Sequence, residues 1–202
     1  GNFSDLSFNT SGPMYFSLIS TGAQVKILKA TNDNKMPRND VNANLNYRYS
    51  ASGKEFSIDA DYGFYNIKSD QFQPNYYYDG TGTLETSRAI YNMIAPTNIN
   101  IATIKSDYEQ DFKGGKLGCG GKTSFVKTDN QVEYLRNSGF GWETDDRSNH
   151  FVYEENINAA YAIFSKSIKK WELTACLRIE NTNATGNQIK SDSSFKRQYT
   201  NL

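Results

Sequence analysis

The chain has 202 residues, in which 22 Lys and Arg balance 22 Asp and Glu, so the formal net charge is zero. This balance argues against a nucleic-acid partner, because proteins that bind nucleic acids present a basic face. The 14 tyrosines and 12 phenylalanines, with many Thr, Ser and Asn residues, are typical of a β-protein with wet surfaces.

The sequence contains no run of 18 apolar residues, which excludes a transmembrane helix but not barrel strands, whose apolar residues alternate with polar ones. No signal peptide is visible. Gly1 stands where a methionine would begin a complete chain, and a new strand begins just before Leu202. We therefore expect a piece of something longer, folded as a single β-domain over residues 1–202.

Residues 1–40 are predicted to be an irregular start. The first 13 are rich in Asn, Ser and Gly, and 31–40 contain turn formers such as Pro37. Between them, apolar clusters in Met14–Ala30 predict one or two strands, although Gly22 interrupts the alternation.

Three hairpins are predicted in residues 41–202, because apolar and polar residues alternate along them with the period of two that strands require. Their turns are placed at Ser50–Lys54, Lys113–Lys116 and Lys166–Lys170. Long polar loops are predicted at 66–97, 127–151 and 182–198.

The third hairpin, Val152–Asn181, has strands about twice the usual length of ~5–6 residues. Trp171 beside a lysine-rich turn fits an interfacial aromatic girdle. We assign one lipid-facing stripe to this hairpin, consisting of Ile157, Ala159, Tyr161, Ile163, Leu173, Leu177 and Ile179.

Short turns therefore alternate with long loops along the chain. A soluble sandwich has no physical reason to keep this alternation, whereas an outer-membrane barrel has short periplasmic turns and long external loops. The predicted fold is an all-β, antiparallel up-and-down meander of about seven or eight long strands, a segment of a transmembrane β-barrel.

Catalytic and cofactor-binding sites are not predicted. The run Gly114–Thr123 ends like a phosphate loop, but Lys116 stands where that motif needs its first glycine and no helix follows. His150 is the only histidine, so neither a zinc site nor a Ser-His-Asp triad is expected. Loop carboxylates such as Asp145 could contribute to a weak calcium site, although ordinary loop charge is the simpler account.

Cys119 and Cys176 both fall within predicted strands. Their pairing stays open, and two small buried apolar side chains are the simpler interpretation. Four aromatic residues in the predicted loops, namely Tyr76, Tyr77, Tyr78 and Trp142, are candidates for ligand contact or for packing of the loops on each other.

Several strand sequences resemble barrel segments of Bacteroidetes TonB-dependent outer-membrane receptors, in the outer membrane protein β-barrel group. The resemblance is carried by Asn44–Tyr49, Asp59–Gly63, Gln73–Tyr78, Lys105–Tyr108, Gly121–Asn130, Asn149–Tyr161 and Leu177–Thr182. It implies an outer-membrane location, lipid and the TonB system as partners, and uptake of a large nutrient such as a metal chelate or glycan. No functional residue of that family maps onto a motif here, so none is carried over, and because no nucleophile–base or metal constellation occurs in the sequence, an enzyme is not predicted.

The alternative function is a soluble or surface β-sandwich that binds sugar or protein through its long loops. If the barrel segment folds alone, its apolar stripe would meet water and its edges would be unpaired. We therefore expect the stripe to be covered by loop residues or by self-association with a second molecule.

Overall fold

A computed structural model describes residues 1–17, 21–137 and 139–202. These residues form one antiparallel sheet in which each long strand pairs with the next along the chain. The strands are β1 Asn2–Ser17, β2 Gln24–Ala51, β3 Lys54–Asp79, β4 Glu85–Phe112, β5 Gly115–Asn137, β6 Trp142–Thr144, β7 Asn149–Ile168, β8 Trp171–Gln188 and β9 Ser193–Asn201. The short β6 pairs only with β5, so β1 and β9 are the two edges of an open meander.

This architecture confirms the predicted all-β meander, with eight long strands. No helix able to span a membrane occurs among the residues that the structure describes. The sheet is a single layer, and Ile27, Ala159 and Ala184 are the buried apolar residues of the described chain. A β-sandwich needs a second sheet packed on the first, so the alternative fold is wrong for the described residues.

The predicted irregular start and long loops are wrong, because most of these residues belong to strands. Residues 2–17 and 24–40 pair in β1 and β2, while 66–79 and 85–97 extend β3 and β4. The predicted loops 127–151 and 182–198 likewise consist largely of β5, β7, β8 and β9. Residues 18–20, within the predicted strand region Met14–Ala30, and residue 138 lie outside the described residues.

The hairpin turns are shorter than predicted. Ala51 pairs with Lys54, Phe112 with Gly115 and Ile168 with Trp171, so each turn has two residues. Ser52, Gly53, Lys113 and Gly114 all have positive φ angles, the conformation that a two-residue type I′ turn requires at both central positions.

The length of a hairpin turn decides which residues of its two strands share a face. Because this turn has two residues, the predicted lipid-facing stripe is wrong. Across a two-residue turn, even-numbered residues of β7 pair with odd-numbered residues of β8. Leu177 therefore lies beside Ala162, whereas Ile163 lies beside Cys176 on the other side of the sheet. The predicted stripe thus joined residues from two opposite faces.

Register extends this division across six strands. The apolar face carries Val41, Ala43, Leu45, Tyr47, Tyr49, Phe56, Ile58, Ala60, Tyr62, Phe64, Ala102, Ile104, Tyr108, Leu117, Cys119, Phe125, Ala160, Ala162, Phe164, Leu173, Ala175, Leu177 and Ile179. The polar face carries Asn42, Asn44, Asn46, Arg48, Asp59, Asp61, Lys105, Asp107, Lys122, Glu155, Tyr161, Arg178 and Glu180.

Within the described residues no loop covers the apolar face, so the expected cover by loop residues is wrong, whereas self-association stays a prediction. Leu45 is 73% exposed and Leu177 is 65% exposed. Ile157 and Ile163 are partly buried, but they lie on the polar face. An uncovered apolar face of this extent is what a sheet in contact with lipid requires.

The upper boundary of the apolar face, at the end away from the two-residue turns, runs obliquely across the strands. On each strand it is marked by the polar residue that follows the uppermost apolar residue of this face, namely Asn39, Asn66, Asn100, Lys127, Asn158 and Asn181 in β2, β3, β4, β5, β7 and β8.

The register of these residues gives the tilt of the strands. Asn66 pairs with Asn98, two residues from Asn100, and Lys127 pairs with Glu154, four residues from Asn158. From β2 to β8, which is five strand steps, the boundary thus shifts by six residues in all. With ~3.3 Å per residue and ~4.8 Å between strands, the strands tilt by about 40° from the normal to this boundary, as transmembrane barrel strands do.

The two cysteines are free and exposed, so the prediction that they are buried is wrong. Cys119 pairs across the sheet with Ala162 on the apolar face, and Cys176 pairs with Ile163 on the polar face. A disulfide cannot form between side chains that leave a sheet on opposite sides.

We expect the cysteines of the membrane-embedded protein to differ in reactivity. In outer-membrane vesicles, a hydrophilic maleimide should modify the Cys119→Ser variant, which retains Cys176 on the water-facing side. It should leave the Cys176→Ser variant unmodified, whereas a lipid-soluble maleimide should modify that variant. Mass spectrometry of the intact protein measures both reactions, and equal labelling of the two variants by the hydrophilic reagent would contradict the assigned faces.

Candidate functional site: the polar face and its upper rim

A row of amide side chains on β2 faces acceptors and donors on β3. Asn44 Nδ2 donates to Asp61 Oδ1 at 2.6 Å, Asn46 Nδ2 donates to Asp59 Oδ1, and the Tyr65 hydroxyl donates to Asn42 Oδ1 at 2.8 Å. Asn44 and Asn46 lie directly opposite their partners, and Asn42 lies diagonally from Tyr65; both arrangements bring side chains of neighbouring strands within reach of each other. The row holds amide and carboxylate groups in fixed positions on a solvent-facing wall.

A charged cluster lies lower on the same face. Lys105 Nζ lies 2.5 Å from Asp107 Oδ2, and the Tyr161 hydroxyl donates to Asp107 Oδ1. Gly120 makes this possible, because a Cβ at that position would lie 2.5 Å from Asp107 Oδ1 and 2.6 Å from Tyr161 Cζ. The glycine-rich run therefore makes room for a side-chain cluster. It forms part of strand β5, and a phosphate loop was not predicted here.

Two grooves open on the polar face beside these groups. The upper one, about 240 Å³, is lined by Asn42, Asn44, Asp61 and Tyr65. The lower one, about 200 Å³, is lined by charged and aromatic residues that include Arg48, Glu55, Asp107, Glu109 and Tyr161. Both present hydrogen-bonding groups and an aromatic edge, which suits reversible binding of a polar molecule.

Within the described residues, no three His, Cys, Asp or Glu side chains come together as a metal site. His150 Nε2 lies 2.8 Å from Asp129 Oδ1, and this pair occupies the side of the sheet that carries the apolar face, above its boundary. Asp145, considered for calcium, is instead bound by Arg147.

All four candidate loop aromatics lie on strands, Trp142 on the short β6 and the other three on β3. Tyr76, Tyr77 and Tyr78 form the upper end of β3, which corrects their placement in a loop. Lys26 Nζ lies 4.3 Å from the centre of the Tyr77 ring, and Lys29 Nζ lies 4.3 Å from that of Tyr78. These cation–π contacts hold the rings against β2.

Alternation separates the candidate aromatics into two groups. Tyr77 points to the side of the polar face, while Tyr76 and Tyr78 point to the opposite side. Trp142 of β6 pairs with Asn137 of β5, and the register through β4 to β3 places it on the same side of the sheet as Tyr76. The structure therefore does not assemble the four aromatics into one site.

A residue that sequence reasoning passed over, Arg147, organises the rim near Trp142. Its guanidinium lies 4.8 Å from the ring centre of Tyr134 and 5.1 Å from that of Tyr91. It also donates to both carboxylate oxygens of Asp145, at 2.8 and 3.1 Å. We call Tyr91, Tyr134, Asp145 and Arg147 the rim clasp, and no motif in the sequence marks it, because its members come from β4, β5 and the β6–β7 connection.

A family model described as the outer membrane protein β-barrel family matches residues 47–202. No curated protein sequence matches the chain.

Three solved structures share low similarity with the chain. They are the ferric citrate transporter FecA (11% identity, 98% of this chain, 32% of that one, TM-score 0.44), the siderophore receptor PiuA from Acinetobacter baumannii (10%, 99%, 46%, 0.44) and the ferric yersiniabactin uptake receptor FyuA from Yersinia pestis (10%, 98%, 40%, 0.38). The chain thus spans less than half the length of each.

The rim clasp should open only in strong acid. Hydrogen bonds from the Arg147 side chain, and then from its backbone N–H, lower the pKa of Asp145 from 3.8 to about 2. Because the pKa is depressed in the closed clasp, its stabilisation is complete above the unfolded pKa near 4 and is lost as pH falls through about 2. Fluorescence of Trp142, measured with Trp171→Phe, should change between pH 4 and 2 and stay constant from pH 5 to 8.

The Asp145→Asn variant is the control for this titration. It should show the fluorescence of the open clasp at every pH and no transition between pH 4 and 2. A transition that survives in this variant would assign the change to groups other than Asp145 and would contradict the clasp.

Proposed function

We propose that this chain, which belongs to the outer membrane protein β-barrel family, is a wall segment of a TonB-dependent receptor that imports a large nutrient. Family membership places the chain in the outer membrane. One observation carries the rest of the proposal, namely a continuous sheet with an uncovered apolar face, a polar face lined by hydrogen-bonding groups, and strands that continue far beyond the apolar region.

Strand length favours a receptor over a simple pore. About 9–11 tilted residues suffice to cross a bilayer, but β2 and β4 each have 28 residues. Their additional length carries polar residues among scattered apolar ones such as Ile27 and Ile94, without strict alternation. It remains paired with β3, so it builds an ordered wall in the external medium. Such a wall supplies surface for recognising a bulky ligand before it enters the barrel, which supports uptake of a metal chelate or a glycan.

The test is growth that depends on the protein and on TonB. A strain that lacks the gene should fail to grow on one metal chelate as sole iron source, or on one glycan as sole carbon source. The intact gene should restore growth in a TonB-positive strain but not in an isogenic TonB-negative strain. Equal restoration in both strains would indicate passive diffusion and would contradict active import.

We also propose that the aromatics Tyr76, Tyr77, Tyr78 and Trp142 belong to the ligand-contacting rim, with Tyr77 as the member that faces the interior. Tyr77 shares a face with the Asn44–Asp61 row, and Lys26 holds its ring. The other three point to the opposite side and would contact only ligand that approaches from outside the wall.

Replacing Tyr77 should weaken uptake of the nutrient that the growth assay identifies. A single aromatic contact contributes ~0.5–1.5 kcal/mol, so Tyr77→Ala should raise the half-saturating concentration about 2- to 10-fold. Tyr76→Ala is the matched control and should remain close to the parent protein. Radiolabelled uptake measures both variants, and a larger loss in Tyr76→Ala would reverse the assignment of the interior face.

A further inference from the structure

A groove of about 290 Å³ lies on the apolar side of the sheet, separate from the polar face and its grooves. Its lower wall consists of Tyr62, Ala102 and Phe125, which lie side by side on β3, β4 and β5, and the last two are the uppermost apolar residues of this face on their strands. Its upper wall includes Asn100, Lys127 and Glu154. The groove therefore lies across the boundary between lipid-facing and water-facing surface.

Differences in side-chain size form this groove. Ala102 lies between Tyr62 and Phe125, each directly opposite it on a neighbouring strand. Tyr62 is 46% exposed and Phe125 is 56% exposed. Their rings form the two walls of the groove, and the short side chain of Ala102 forms its floor. The Tyr62 hydroxyl donates to Asn100 Oδ1 at 3.1 Å, which orients this ring toward the polar boundary as interfacial tyrosines are oriented.

Opposite charges lie side by side just above the apolar row. Lys127 Nζ is 2.7 Å from Glu154 Oε1, and both side chains are about half exposed. An anionic headgroup would meet Glu154 as well as Lys127, and a cationic one would meet Lys127 as well as Glu154. A headgroup that carries both charges complements the pair, because it presents an anion to Lys127 and a cation to Glu154.

We propose that this groove binds one zwitterionic phospholipid of the phosphatidylethanolamine type. An acyl chain lies on Ala102 between Tyr62 and Phe125, the phosphate faces Lys127, and the ammonium group faces Glu154. The groove is continuous with the lipid-facing surface, so a membrane lipid reaches it by lateral diffusion. Binding is independent of the imported nutrient, because the groove and the polar face lie on opposite sides of the sheet.

Native mass spectrometry of the complete barrel protein, extracted in mild detergent, tests this proposal. With equal amounts of phosphatidylethanolamine, phosphatidylglycerol and lipid A, the parent protein should retain phosphatidylethanolamine preferentially. Ala102→Trp fills the floor of the groove and should reduce the retained lipid roughly fivefold or more. Ala160→Trp makes the same substitution on the apolar face outside the groove and should retain lipid as the parent does.

Two further variants keep the test decisive if Ala102→Trp fails to fold. Phe125→Ala removes one wall without adding bulk and should also reduce retention about fivefold. Glu154→Gln removes the negative charge and should bring phosphatidylglycerol to parity with phosphatidylethanolamine. The proposal is overturned if Phe125→Ala retains lipid like the parent, if an anionic lipid binds the parent as well as the zwitterionic one, or if Glu154→Gln leaves the preference unchanged.

Discussion

Inter-strand hydrogen bonding is the constraint on which this structure depends. A segment that crosses hydrocarbon must pair every backbone N–H and C=O group within the protein, and the antiparallel ladder from β1 to β9 does this for the strands between the two open edges. Two-residue turns fix the register of three hairpins. Since a shift of one residue would exchange the two faces, the same turns decide which side chains meet lipid and which meet water.

Glycine and larger side chains complement each other on the polar face. Besides the Tyr161 ring over Gly120, a Cβ on Gly118 would lie 2.8 Å from Ile163, and one on Gly186 would lie 2.2 Å from the Phe195 ring. Large side chains therefore cover neighbouring strands wherever glycine leaves room. This interlocking stiffens a single-layer sheet that has few buried apolar residues, and it keeps the polar groups of the wall in fixed positions.

The sequence predicted the fold wherever a strand lies against lipid on one side only. The alternation in 41–65 and 152–181 is strong because every second residue must be apolar there. Above Asn66 or Asn181 both sides of the sheet are wet, so the pairing continues without alternation and was mistaken for loop. Sequence reasoning therefore found the barrel segment but not the length of its strands.

The site was less predictable, because faces and clusters depend on pairing between distant residues. A five-residue turn placed at Lys166–Lys170 put Ile163 and Leu177 on one face, and the actual two-residue turn separates them. The adjacent aromatics Tyr76 and Tyr77 leave the sheet on opposite sides, which a list of loop residues does not reveal. The rim clasp around Arg147 draws on three parts of the chain and has no local pattern.

The height of the wall has a consequence for how molecules first encounter this protein. Residues 24–39 of β2 and 85–100 of β4 lie beyond the apolar face, and tilted by ~40° they rise about 40 Å above it. That distance exceeds the thickness of the bilayer's hydrocarbon core, which is ~30 Å. A large solute in the medium thus collides with the crest of the sheet before it reaches the membrane surface, and the rate of capture is governed by the chemistry of that crest.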